Sequence, residues 1–141
     1  MPLIGEKEQE QIKEMLVAMP NPVTAIVFTQ EKECQFCAET RQLVEKVATL
    51  SDKIKVEVYD FQADKAQVEK YGIDKIPAIA IVGAKDYGIR FYGIPSGYEF
   101  SAFLEDLIDV SKGTTDLGAK TKKGLAKLTQ PLHFQVFTTP T

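Results

Sequence analysis

The two cysteines of this chain, Cys34 and Cys37, are separated by two residues and lie between an apolar run and an amphipathic segment. The run 23–28 is short, β-branched and apolar, which predicts a buried strand. Apolar residues then recur at helical spacing, which predicts a helix over about 35–50. A cysteine at the start of a helix meets unpaired backbone N–H groups and the positive end of the helix dipole, and both stabilise a thiolate. The arrangement therefore predicts disulfide exchange.

Composition limits the alternatives. The chain has 141 residues, 44% of them hydrophobic and 26% charged, as in an ordinary globular domain with room for an appendage. The net charge of −3 gives no reason to expect nucleic acid or an acidic membrane as a partner. No apolar stretch approaches a membrane span or a signal core, so we expect a cytoplasmic location. In that compartment this cysteine spacing favours redox or metal chemistry over a structural disulfide.

The hydrophobic pattern predicts further elements on both sides of the cysteines. Helices are expected over 6–19, 63–71 and 98–111, and strands over 23–29, 54–59, 78–82 and 88–92. In the tail we expect a helix over 115–128 and a strand over 132–137. Because an unpaired apolar strand is a pairing hazard, this last segment is expected to be disordered or to self-associate between chains.

The two cysteines are expected to play different roles. Cys34 comes first and should be the more exposed sulfur, so it is the predicted nucleophile, and Cys37 is the predicted resolving thiol. Gln35 and Phe36 should tune the reduction potential through hydrogen bonding and burial. Glu33 is a candidate loop base or tuning residue, although a solvated carboxylate is the simpler interpretation.

Neither a metal nor a cofactor is expected. Two thiolates would need two more ligands to hold zinc, and the chain offers one histidine, His133, far away in the tail. The predicted exchange chemistry takes place on the two cysteine sulfurs and needs no cofactor.

Several motifs resemble the glutaredoxin-like protein disulfide oxidoreductases of thermophilic archaea and bacteria. They are Asn21-Pro22-Val23 and the segments 33–37, 71–77, 91–100 and 103–106. The resemblance covers nearly the whole chain. It implies an α/β, thioredoxin-like fold: a central mixed four-stranded sheet flanked by helices, with an extra N-terminal helix and a C-terminal helix-strand tail.

The same resemblance implies roles for three residues outside the cysteine motif. Pro77 is expected to follow a cis peptide bond and to pack beside the cysteines. Ile76 would then offer its backbone N–H and C=O to an extended substrate segment. Gly93 would let its loop approach the site without a side chain, or is simply a turn glycine. Implied partners are protein disulfides or dithiols, with a thioredoxin reductase as electron donor.

Members of that family carry two thioredoxin-fold units in tandem, and the segment 134–141 resembles the strand before the second Cys-x-x-Cys. We therefore expect residues 1–112 to form one unit and residues 113–141 to be a linker plus the first helix and strand of a missing second unit. The first functional hypothesis is a protein thiol–disulfide oxidoreductase. The alternatives are an electron-relay or scaffold half with little activity by itself, as in fused thioredoxin folds of alkyl hydroperoxide reductase, and a structural, dimer-forming protein.

Overall fold

The computed structural model describes residues 3–139 and is built on a mixed four-stranded sheet. The strands are β1 (Val23–Thr29), β2 (Ile54–Asp60), β3 (Ala78–Val82) and β4 (Asp86–Tyr92), in the spatial order β2-β1-β3-β4. β1 is parallel to β2 and antiparallel to β3, and β3 is antiparallel to β4. The predicted fold class is confirmed.

β1 lies at the centre of the sheet and is apolar because both of its faces are buried. Ala25 and Val27 point into the larger hydrophobic cluster, and Ile26 and Phe28 point into the smaller one. The alternation follows from the two-residue repeat of a strand.

Five helices complete the described part of the chain: α1 (Glu6–Leu16), α2 (Cys37–Ala48), α3 (Lys65–Lys70), α4 (Tyr98–Lys112) and α5 (Ala119–Leu125). α1, α2 and α4 cover one face of the sheet and form the larger cluster with it. Its buried members are Ile4, Ile12, Leu16, Met19, Val23, Ala25, Val27, Leu43, Val44, Val47, Ile54, Ile79, Ile81, Phe103, Leu104, Leu107 and Val110. None of the helices between residues 3 and 139 has the length and apolarity needed to cross a membrane.

The opposite face of the sheet carries the smaller cluster, formed under α3 and the segment that follows it. Its buried members are Ile26, Phe28, Ile73, Ala78 and Ala80, with Tyr59, Tyr71 and Ile76 packed against them. The rings of Tyr59 and Tyr71 lie 5.9 and 6.0 Å from that of Phe28. A thin aromatic layer therefore closes this face.

Every predicted helix except α4 extended too far, and the differences are largest for α1 and α5. α1 ends at Leu16 rather than at residue 19, because Pro20 and Pro22 follow and proline restricts the residues before it. The tail helix α5 spans Ala119–Leu125 only, where 115–128 was predicted.

The predicted strand over 132–137 is wrong, since residues 131–139 contain neither a helix nor a strand. The segment alternates like a strand, but strand geometry needs a backbone partner and none of the four described strands pairs with it. Its large apolar side chains are 61–89% exposed: Leu132, Phe134, Val136 and Phe137.

A polar lock fastens the end of α4 to the start of β1. The buried Ser111 hydroxyl donates to the carbonyl of Asn21 at 2.6 Å and accepts from its N–H at 3.0 Å. The Asn21 side-chain amide also donates to the Ser111 carbonyl at 2.9 Å. The lock joins residues 90 positions apart in the chain and fixes where β1 enters the sheet.

Arg90 of β4 forms a second tie, to the end of α3. Its Nε donates to the Tyr71 carbonyl at 3.0 Å, and its guanidinium bonds both carboxylate oxygens of Asp86 at 2.6 and 2.9 Å. The hydrogen bond from Arg90, with a second from the Gly88 N–H, lowers the pKa of Asp86 against the opposing effect of partial burial. Because Tyr71 directly precedes the segment 72–77, the hydrogen bond from Arg90 restrains the part of the chain that leads to Pro77.

Replacement of Ser111 by Ala should lower the free energy of unfolding by about 1–3 kcal/mol, because two hydrogen bonds between the Ser111 hydroxyl and the Asn21 backbone are lost. The matched control is Ser101→Ala on the exposed side of the same helix, where Ser101 bonds only the Tyr98 carbonyl one turn back. Urea unfolding of both variants measures the difference. Equal stabilities would show that the lock contributes nothing.

The Asp86–Arg90 pair should make stability depend on pH. A carboxyl whose pKa is lowered on folding stabilises the protein above its unfolded pKa of about 3.9, and that contribution is lost as the pH falls through the folded pKa. Wild type should therefore lose more stability between pH 7 and pH 3 than Asp86→Asn does. Urea unfolding at both pH values checks this, with the exposed Asp116→Asn as control; an identical loss in wild type and Asp86→Asn would contradict it.

Candidate active site

Cys34 and Cys37 form a disulfide, and their Cα atoms lie 5.5 Å apart, within the usual range. Cys37 is the first residue of α2 and is 1% exposed, whereas Cys34 precedes the helix and is half-buried. The predicted order of exposure is confirmed. Cys34 is therefore partly accessible to solvent, whereas Cys37 is not.

α2 begins two residues later than predicted, so Cys34 lies outside the first turn. The first helical hydrogen bond runs from the Thr40 N–H to the Phe36 carbonyl at 3.0 Å, and the buried Thr40 hydroxyl donates to the same carbonyl at 2.6 Å. Phe36 is thus the N-cap, and the N–H groups of the first turn, beginning at Cys37, have no intrahelical acceptor. Cys34 is bonded to this end of the helix rather than contained in it.

The residues between and before the cysteines lie at the surface. Gln35 is exposed, and the Phe36 side chain is 46% exposed although it is large and apolar. Glu33 is also exposed, and its backbone is left-handed, with φ of 57°. Gln30 closes the preceding loop by donating its side-chain amide to the Lys32 carbonyl at 2.6 Å.

The Ile76–Pro77 peptide bond is cis, as the resemblance implied. Pro77 is buried and directly precedes β3, where Ala78 pairs with Phe28 of β1 and with Tyr92 of β4. β1 runs on into the cysteine loop and β4 runs on into Gly93. Sheet pairing therefore gathers the cysteine loop, the Pro77 segment and the Gly93 loop at one end of the sheet.

Gly93 is needed for its conformation and not for close packing. Its φ is +87°, and a Cβ added there would meet nothing within 4 Å. This conformation favours glycine, in line with the turn-glycine alternative, and the approach of a substrate to this loop stays a prediction. Its N–H donates to the Pro77 carbonyl at 2.8 Å and so joins the two loops.

An open cleft of about 700 Å³ runs beside Cys34, and the sequence analysis did not anticipate it. Its walls are the outer side of α2, the start of the cysteine loop and the carboxyl end of β2. Four acidic residues line it against one arginine, which is itself bonded to an acid: Glu31, Glu45, Asp60 and Asp64, with Arg41 donating to Glu45 at 2.7 Å. The cleft is therefore acidic next to the exposed sulfur.

Asp60 and Asp64 hold fixed positions in that cleft. Asp60 accepts from the N–H groups of Gln62 and Ala63, both at 2.8 Å, and Asp64 accepts from the Asp60 N–H at 2.7 Å. The sequence could have indicated that Asp60 lies near the cysteine loop, because the carboxyl ends of parallel strands such as β1 and β2 lie at the same edge of a sheet.

Comparison with known proteins places this geometry in a family. The family model described as a thioredoxin domain matches residues 25–105. A protein named probable thioredoxin from Methanothermobacter thermautotrophicus is 35% identical over 81 residues, which are 57% of this chain and 89% of that protein. The range matched by the family model includes the cysteine pair, most of β1 and the whole of the other three strands.

Two solved structures share the fold over a longer stretch. A protein disulfide oxidoreductase from Aeropyrum pernix K1 is 25% identical with a TM-score of 0.81, covering 91% of this chain and 56% of that one. The alkylhydroperoxide reductase component AhpF from Enterococcus faecalis is 26% identical with a TM-score of 0.81, covering 90% and 62%. This chain thus spans less than two thirds of either. It belongs to the thioredoxin domain family, as a thiol–disulfide oxidoreductase with one Cys-x-x-Cys centre.

Proposed function

We propose that this chain exchanges disulfides with protein substrates, with Cys34 as the attacking thiol and Cys37 as the resolving thiol. The observation that carries the proposal is the asymmetry of the bonded pair, in which the half-buried Cys34 stands in front of a Cys37 that is 1% exposed. A bulky protein disulfide reaches only the first sulfur directly.

In the reducing direction, the Cys34 thiolate attacks one sulfur of a substrate disulfide. A bond forms between Cys34 and that sulfur, and the other substrate sulfur leaves as a thiolate. The Cys37 thiolate then attacks Cys34, the Cys34–Cys37 bond forms, and the second substrate thiolate leaves. The two electrons of the protein dithiol have moved to the substrate, and the reverse sequence oxidises a substrate dithiol.

Substrate backbone is proposed to pair with Ile76, beside Pro77 and Gly93. Pro77 has no N–H, and its carbonyl already accepts from Gly93, so within this dipeptide Ile76 is the residue suited to bond an extended segment. The acidic cleft on the other side of Cys34 gives room for the rest of that segment.

The remaining assignments extend this proposal. Gln35 and Phe36, exposed beside the sulfurs, and Glu33 tune the reduction potential. A cytoplasmic thioredoxin reductase supplies electrons. Residues 1–112 form the redox unit, and residues 113–141, with α5, belong to a second unit; the greater length of the two solved relatives supports this division. Copies of the chain associate with one another through the exposed apolar segment 132–137.

Replacement of Cys37 by Ser should trap a mixed disulfide between Cys34 and a protein substrate such as oxidised insulin, since no resolving thiol remains. Cys34→Ser should trap none, because Cys37 is buried. Non-reducing electrophoresis detects the adduct, and dithiothreitol should release it. Trapping by Cys34→Ser, or equal trapping by both variants, would reverse or remove the assigned roles, and a scaffold protein would trap with neither.

Iodoacetamide should label Cys34 much faster than Cys37 in the reduced wild-type protein, because Cys34 is half-buried whereas Cys37 is 1% exposed. Peptide mass spectrometry over a time course measures the two rates. In urea the rates should converge, since the fold no longer shields Cys37. Faster labelling of Cys37 than of Cys34 in the folded protein would contradict the assigned roles.

A further inference from the structure

Glu33, the residue immediately before Cys34, has an unusual backbone conformation. Its φ of 57° lies in the left-handed region, and every other residue with positive φ between residues 3 and 139 is a glycine. Residues with a Cβ adopt this region uncommonly, because the Cβ crowds the backbone carbonyl. A left-handed residue without glycine's freedom persists only where its surroundings hold it there, and such residues cluster at functional sites.

We propose that the left-handed backbone of Glu33 positions Cys34 against the start of α2 and thereby sets the stability of the Cys34–Cys37 disulfide. The inference rests on the proposed function and deepens it by naming a positioning residue. Glu33 acts through its main chain, so its charge is not the cause. Its exposed side chain fits that role.

The position of Cys37 is fixed independently of Glu33. Cys37 opens α2, whose residues Leu43, Val44 and Val47 are buried in the larger cluster, and Cys37 itself is 1% exposed. Cys34 is carried instead by the loop that leaves β1 at Thr29. Of the two cysteines, Cys34 is therefore the one whose position depends on the loop.

The left-handed turn falls at the last residue before Cys34. The hydrogen bond from Gln30 to the Lys32 carbonyl ties the upstream part of the loop at 2.6 Å. The backbone dihedrals of Glu33 then set the direction in which the chain continues to Cys34. A change at this one residue moves Cys34 relative to a Cys37 that does not move.

The left-handed conformation of Glu33 raises the free energy of the disulfide form. There the bond to Cys37 holds Cys34 in place, and Glu33 is left-handed. The inference is that this bond is what keeps Glu33 left-handed, so that in the dithiol form Glu33 returns to ordinary right-handed or extended geometry. The cost disfavours disulfide formation, so relieving it favours the disulfide.

Equilibration with glutathione measures this balance. Protein dithiol and glutathione disulfide give protein disulfide and two molecules of glutathione. Two electrons pass from the protein sulfurs to the glutathione disulfide, and each proton ends on a glutathione sulfur. The equilibrium constant compares two folded states, so a merely structural effect that is equal in both does not change it.

Three variants separate the backbone of Glu33 from its charge. Glu33→Gly should raise the equilibrium constant for disulfide formation by roughly 5- to 30-fold, since glycine adopts the left-handed region freely. Glu33→Val should lower it, because a β-branched residue fits that region worse than glutamate does. Glu33→Gln keeps the backbone preference and removes the charge, so it should stay within about twofold of wild type.

Circular dichroism of both redox forms checks that each variant is folded. If Glu33→Val does not fold, the comparison of Glu33→Gly with Glu33→Gln is sufficient for the test. A wild-type constant in Glu33→Gly overturns the inference, while exchange by the wild type still supports the proposed function. A shift in Glu33→Gln as large as that in Glu33→Gly assigns the effect to charge and also overturns it. A folded wild type that does not exchange with glutathione overturns the proposed function and this inference with it.

Discussion

The pairing of β1 with β2 and β3 determines where every part of the active site lies. β1 is buried on both faces, with Val27 in the larger cluster and Phe28 in the smaller one. Because β2 is parallel to β1 and β3 is antiparallel to it, the cysteine loop, Asp60 and Pro77 all meet at the end of the sheet where β1 finishes. Burial of such side chains contributes roughly 1.5–3 kcal/mol each, so the core stabilises the sheet under the site.

The two cysteines differ because the elements that carry them differ in how they are held. Cys37 begins a helix anchored by Leu43, Val44 and Val47, and the buried Thr40 hydroxyl reinforces its first turn. Cys34 lies on a loop, and Glu33, the residue before it, has a left-handed backbone. A fixed, buried resolving sulfur and a more exposed attacking sulfur on a loop are suited to successive steps of one exchange, since the first must meet an external disulfide and the second only its neighbour.

The sequence was sufficient where burial decides the structure and insufficient where backbone geometry does. The bounds of β1 and β3 followed from their continuous apolar runs, which reflect burial on both faces. The cis bond at Pro77 came from the family resemblance, since only about one X-Pro bond in twenty is cis in folded proteins. The helix start was misplaced because apolar spacing reports the buried face of α2, while its first turn depends on hydrogen bonding at Phe36. Glutamate carries no signal for a left-handed backbone, so this conformation of Glu33 was not predictable, although the residue itself was a candidate for tuning.

Helix α5 and the redox centre lie at opposite ends of the sheet. α5 borders a groove with Tyr87 at the start of β4 and Val110 near the end of α4, whereas Gly93 follows the other end of β4. From Tyr87 to Tyr92 the strand extends about 16 Å, at roughly 3.3 Å per residue. The sheet that brings the cysteine loop and the Gly93 loop together at one end therefore holds α5 at the other.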